Sequence, residues 1–217
     1  MPNTASPKRR RLTPELRREE ILNQAAQLVL AEGVSAVSME RIGREAGASK
    51  ALVYAYFSDR TGLLTALLLR EQARFRAEGQ RLLQEAKEFE SKVRATTAAW
   101  LLHVAHNGAL IERLLHEPEV ARAVEPDDAR SRSETTSYFG DEIAHHYGLP
   151  QRQAVVLADL LMGLTGAAGA RLHSTNADPD EVLELTLRMI FAALRAVSSS
   201  GAQRAGEESG ENDKTRS

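Results

Sequence analysis

The chain has 217 residues, 42% of them hydrophobic, enough for one or two domains with a buried core and too apolar for a chain that stays unfolded. It has no cysteine, which excludes disulfides, thiolate zinc sites and cysteine nucleophiles. The net charge of −2 is unevenly placed: residues 1–60 carry ten Lys+Arg against seven Asp+Glu, and the remainder is acidic. Basic residues Lys8, Arg9, Arg10 and Arg11 are not followed by the apolar run of a signal peptide. No stretch reads as apolar and uncharged for long enough to span a membrane, so a cytoplasmic protein is expected.

The element reading is all-α, because Ala, Leu, Glu and Arg dominate and aromatics are only 5%. Residues 1–12 read as a flexible basic arm. Thr13 caps the first helix, with Pro14 at its first position and Glu15 at its positive end. Ile21, Ala25, Leu28 and Val29 repeat at helical spacing, and Gly33 ends the element. Ser38 caps a short helix to Ala46, stopped by Gly47. Ser49 caps another to about Phe57, and Asp59 caps a longer one containing Leu63, Leu64, Leu67 and Leu68. Later helices are expected over Ser91 to Asn107, Leu110 to His116, Pro126 to Tyr147 and Pro150 to His173. The last opens at Asp178-Pro179-Asp180-Glu181. Residues 198–217, polar and rich in Gly, Ser and Glu, read as a disordered tail.

The segment Ser38 to Arg60 carries the most information. Two helices too short to stand alone are joined by the tight turn Ala46-Gly47-Ala48-Ser49. Packing must hold them, so Ile42, Ala46, Val53 and Phe57 are expected to face the first helix. That is the requirement of a helix-turn-helix, whose second helix enters the DNA major groove while the first braces it.

Here the register becomes specific. Gly33, Ser38, Ile42, Ala46-Gly47, Ser49-Lys50, Val53-Tyr54, Tyr56-Phe57, Arg60 and Leu63-Leu64 together resemble the TetR-type DNA-binding domain, over roughly residues 14–70. Gly43 stands where that family usually has Ala, Arg60 where it has Lys, and Ala51 where Gly or Pro is frequent. Glu40 is an acidic residue expected to face a polyanion. The resemblance implies a three-helix helix-turn-helix domain over 13–60 and a helical ligand-binding and dimerisation domain over 61–197. It implies that Ser38, Tyr54, Tyr56 and Arg60 grip phosphates, while Ser49, Lys50, Ala51 and Leu52 front the reading helix, with Glu40 beside them. Lys50 can donate to guanine; Ala51 and Leu52 offer only apolar contact, as to a thymine methyl. Phe57 reads as core. Lys50 as a solvated surface charge is the bland alternative, and the basic arm reads equally as a minor-groove arm or a solubilising tail.

In the second half, Val182, Leu185 and Met189 mark one face of the last helix, and Leu183, Leu187, Ile190 and Leu194 another. Two stripes suggest burial on two sides. The preceding helix is rich in apolar and small residues, with Gly163, Gly166 and Gly169 every third position. The resemblance implies that these helices form a four-helix homodimer interface, through Leu160, Leu164, Leu183, Leu187, Ile190 and Leu194. The alternative is a plain intramolecular core. By the same resemblance Trp100, His103, Asn107, Tyr138 and Met162 lie on helices around an effector cavity. His103 with His106, or His145 with His146, have no convergent partners, so neither metal nor cofactor is expected. The function implied is a transcriptional regulator of (pseudo)palindromic operator DNA, a repressor released by a small-molecule effector, with activation open. A helical enzyme is the competing class, but no G-x-S-x-G, P-loop or H-E-x-x-H is present. A protein-interaction module with a vestigial helix-turn-helix is the third.

Overall fold

The structure is a computed structural model that describes residues 13–175 and 177–213, with side chains described as far as Val197. The basic arm of residues 1–12 lies outside the described residues. The described elements are α1 (Pro14–Glu32), a 3₁₀ turn (Val34–Ala36), α2 (Met39–Glu45), α3 (Lys50–Tyr56), α4 (Arg60–Glu85), α5 (Phe89–Leu115), α6 (Pro118–Tyr147), α7 (Gln151–Ser174) and α8 (Pro179–Asp213). No strand occurs among the described residues.

Each short N-terminal helix begins where its cap stands. The Thr13 side chain accepts from the Leu16 amide at 3.3 Å, and Pro14 follows at the first position, where its missing N–H is no loss. Gly33 closes α1 at φ 89°, a region that side chains disfavour, and its amide donates to Val29. Asp59 opens α4 by accepting from the Gly62 amide at 2.7 Å.

The chain forms two compact units. One comprises the described residues up to Arg70 together with Leu110–Ala123; the other comprises Glu71–Ala109 and the residues from Val124 onward. The first unit takes in the first turns of α4, to Arg70. The physical reason is that Leu63, Leu64, Leu67 and Leu68 are all fully buried, so the first turns of α4 serve this unit's core alongside Ile21, Leu22, Val29, Ile42 and Val53. The second unit has a core of Phe89, Val93, Ile143, Leu149, Ala154, Ala158, Leu187, Ile190, Phe191 and Leu194.

Several expected boundaries differ. Ser91–Asn107 and Leu110–His116 are one helix, α5, which runs through Gly108. A helical glycine costs only about 1 kcal/mol relative to Ala, and the His173 imidazole occupies the space beside it. α6 starts at Pro118, and Pro126 lies inside it. The first turns are held by Val120 and Val124, each 1% exposed, and this packing outweighs one lost backbone bond. α8 continues to Asp213, through residues whose composition reads as a tail; Ala202, Ala205, Arg204, Glu207 and Glu208 are good helix formers within that polar stretch. Finally, α7 is by length and composition apolar enough to cross a membrane, contrary to the expectation that no stretch is. Between Arg152 and Arg171, near its two ends, its only charged residue is Asp159. It buries Ala154, Ala158, Gly169 and Leu172 within its own unit.

Candidate nucleic-acid interface

The geometry of the reading element follows from its caps and its turn. Ser38 caps α2 by accepting from the Arg41 amide at 3.2 Å, and Ser49 caps α3 by accepting from Leu52 at 3.1 Å. Accepting these bonds leaves each hydroxyl proton able to donate outward. Gly47 takes φ 59° in the turn. The two helices come very close there: the Ala48 amide donates to the Gly43 carbonyl at 2.7 Å, and a Cβ on Gly43 would stand 2.9 Å from the Ala48 carbonyl oxygen. Arg17 donates to the Ala46 carbonyl at 3.2 Å, closing the end of α2. Ile42, Ala46, Val53 and Phe57 are all buried, as the packing argument requires.

Of the seven residues of α3, only Val53 is buried. Lys50, Ala51, Leu52 and Tyr54 are exposed, Tyr54 at 46%, and Tyr56 is half-buried with its ring tilted against Phe57. Ser38 and Ser49 are exposed at the helix starts. Glu40 is exposed in the first turn of α2, where a carboxylate favours the helix dipole. Arg44 joins these residues on the structure alone. Its side chain is 69% exposed on α2, within 4.0 Å of Glu45. Its signal was only a cation beside the turn, indistinguishable from an ordinary surface charge.

Arg60 has surroundings that the sequence does not suggest. Its Nε donates to Val37 O at 3.1 Å, Nη2 to Val34 O at 2.9 Å, and Nη1 to Glu117 Oε2 at 3.1 Å. Thr61 donates to Glu119 at 3.0 Å, and Arg113 donates to Val29 O and Leu30 O at 2.6 and 2.7 Å.

In the second unit, three of the expected effector residues come together. Trp100 meets Phe75 edge-on at 5.4 Å, His103 lies against Phe75 at 4.7 Å, and Asn107 reaches His103 at 3.3 Å. Trp100 donates to Thr165 O at 3.2 Å and lies against Gly169. Tyr138 and Met162 have other neighbours: Lys92 lies 5.7 Å over the Tyr138 ring, and Met162 accepts from Thr136 at 3.2 Å. Burial lowers the His103 pKa, against a smaller opposing effect of Glu71. The folded state therefore favours neutral His103, and the unfolded state binds the extra proton. That contribution is intact above the unfolded value near 6.5 and is lost as pH falls below it. Wild type is expected to melt at progressively lower temperature from about pH 7 to 5. His103→Gln is expected to flatten part of that slope, read by thermal unfolding; an identical slope would refute the assignment.

The expected dimer residues divide. Leu187, Ile190 and Leu194 are 1–3% exposed and belong to the unit's own core, with Leu164 and Leu183 packed against it. Leu160 is 65% exposed. It lies in an uncharged stripe of Val156, Leu160, Gly163 and Ala167 along α7, and exposed Leu185, Met189 and Ala192 make a similar stripe on α8. No group of His, Asp and Glu suited to a metal occurs among the described residues.

Residues 21–67 match the family described as bacterial regulatory proteins, tetR family. Over these residues the chain is similar to the DNA-binding domain of TetR-type regulators. The match spans the buried face of α1, the whole helix-turn-helix and Leu63, Leu64 and Leu67 of α4. The chain is 25% identical over 195 residues to the HTH-type transcriptional activator FasR of Mycolicibacterium smegmatis, covering 86% of this chain and 87% of that one. Its fold is that of a TetR-like transcriptional regulator from Rhodococcus sp. RHA1 (TM-score 0.67, 19% identity, 85% and 99% of the two chains). The fatty acid degradation regulator FadR from Bacillus halodurans shares it too (TM-score 0.65, 14% identity, 83% and 96%). The family match and the relative both support a DNA-binding transcriptional regulator.

Proposed function

We propose that the protein acts in the cytoplasm as a homodimeric repressor of a (pseudo)palindromic operator and is released by a small-molecule effector. The observation that carries this reading is α3, a seven-residue helix with one buried residue, started by the Ser49 cap and offered outward. Lys50, Ala51 and Leu52 supply the base contacts. Tyr54, Tyr56, Ser38 and Ser49 supply phosphate donors, since a hydroxyl on a rigid stem positions without specifying. One such helix covers too few bases for useful specificity, so a second copy is needed, about 34 Å along the duplex.

The uncharged stripes on α7 and α8 suit that second copy. Gly163 and Ala167 allow helices to approach closely, and Val156, Leu160, Leu185 and Met189 supply the apolar area. For the effector, the cluster of Phe75, Trp100, His103 and Asn107 joins aromatic faces to a neutral imidazole and an amide. That mixture suits an amphipathic compound. Activation is the second reading, supported by the name of the Mycolicibacterium smegmatis relative.

Duplexes selected from a random pool by wild-type protein test the reading. Lys50→Ala is expected to relax preference at one position of each half-site by about 1–3 kcal/mol. Tyr54→Phe is expected to weaken all sequences alike. Selection that yields no symmetric motif, or equal affinities for wild type and both variants at matched salt, would overturn it.

A further inference from the structure

Arg60 stands at the first position of α4, where a cation next to the reading helix invites a phosphate role. Its side chain is instead turned into the protein. All three guanidinium nitrogens donate to protein oxygens: Nε to Val37, Nη2 to Val34, and the two Nη atoms to the two oxygens of Glu117, at 3.1 and 3.4 Å. Only a planar fork can make this set of bonds at once; an ammonium is a single point of donation. The two carbonyls belong to the 3₁₀ turn and the residue after it, immediately before the Ser38 cap that starts α2. The carboxylate belongs to the turn between α5 and α6, within the same compact unit. Three further bonds dock that turn on this unit. Thr61 reaches Glu119, and Arg113 donates to the Val29 and Leu30 carbonyls in the last turn of α1.

The geometry points to Arg60 and Glu117 as a positioning pair, which locks the α5–α6 turn to the segment that launches α2 and so sets the reading helix, with neither residue touching DNA. Glu117 becomes a residue that DNA recognition depends on, although it lies far along the chain from α3. A lysine at this position could hold a phosphate but not make this clamp.

This inference rests on the DNA-binding reading only for its second arm. The first arm uses the free protein. Hydrogen exchange at the amides of Ala36 and Val37, which close the 3₁₀ turn on Gly33 and Val34, is expected to quicken at least tenfold in Arg60→Lys and in Glu117→Ala. The double variant is expected to show no further increase. The second arm uses the duplex selected by wild type. Arg60→Lys and Arg60→Gln should weaken binding similarly and leave the slope of log affinity against log salt unchanged. A phosphate contact predicts instead that Lys preserves affinity and that Gln lowers the slope by about one per subunit. That result, or unchanged exchange in Arg60→Lys, overturns the positioning role. Failure of wild type to bind any duplex would overturn the DNA reading and leave the exchange arm to decide the clamp by itself.

Discussion

Leu160→Glu is expected to give a folded monomer with greatly reduced operator affinity, whereas Leu187→Glu is expected to unfold the regulatory unit. Both are apolar-to-acidic changes on neighbouring helices, and burial separates them. Leu160 is 65% exposed, so a carboxylate there stays in water when the chain is alone. Against a second copy it would be buried unpaired, a penalty of several kcal/mol on each side of a two-fold interface. Leu187 is 1% exposed among Ile190, Phe191 and Leu194. A carboxylate there meets the same penalty within the fold itself, comparable with the roughly 5–15 kcal/mol that holds a domain together. Linking two DNA readers raises affinity by about 10²–10⁴, and Leu160→Glu forfeits that factor. Sedimentation velocity, circular dichroism and duplex binding read the three consequences. A dimeric Leu160→Glu protein, or a folded but monomeric Leu187→Glu protein, would place the interface on the other face of α8.

That pair of residues also shows where the sequence stops being informative. Both stripes of α8 were visible from periodicity: Leu185 and Met189 on one side, Leu187, Ile190 and Leu194 on the other. Periodicity says that faces differ, not which one meets the same chain. The choice depends on Phe89, Ile143 and Ala154, residues distant in sequence whose side chains fill the space over one stripe only. By contrast, the reading unit was legible because its determinants are local. Thr13, Ser38, Ser49 and Asp59 each cap the helix that follows within three residues, and Gly33 and Gly47 mark the two positive-φ turns between them. Arg60 fails the same test. Its partner Glu117 is 57 residues away, so its position beside the reading helix suggested DNA and nothing suggested a carboxylate. Pro126 misled for a related reason: proline's local preference for a helix start was real, but buried Val120 and Val124 begin the helix two turns earlier.

Gly43→Val is expected to abolish recognition of the selected operator while leaving the second unit folded. On propensity alone, glycine inside α2 is a weakness, and Ala there would gain about 1 kcal/mol. The space beside it reverses the sign. A Cβ at Gly43 would lie 2.9 Å from the Ala48 carbonyl oxygen, 3.4 Å from the Lys50 amide nitrogen and 3.4 Å from a Val53 methyl. The oxygen and the nitrogen are backbone atoms, so no rotamer change can relieve them. Overpacking of this kind costs about 1–3 kcal/mol, more than the propensity gain. Ala already forces the backbone of the turn to shift, and the two γ-methyls of Val require α3 to move away from α2. That motion breaks the 2.7 Å bond from Ala48 to Gly43 and displaces Lys50, the first residue of the reading helix. Loss of one base contact in each half-site amounts to about 2–6 kcal/mol, at least a thirtyfold weakening. Recognition that falls stepwise from Gly to Ala to Val at this position would mean that the angle between α2 and α3 is set by this close approach. Binding by titration and unfolding by circular dichroism separate recognition from stability, and a Gly43→Val protein that binds the wild-type duplex with wild-type affinity would show that the angle is fixed elsewhere.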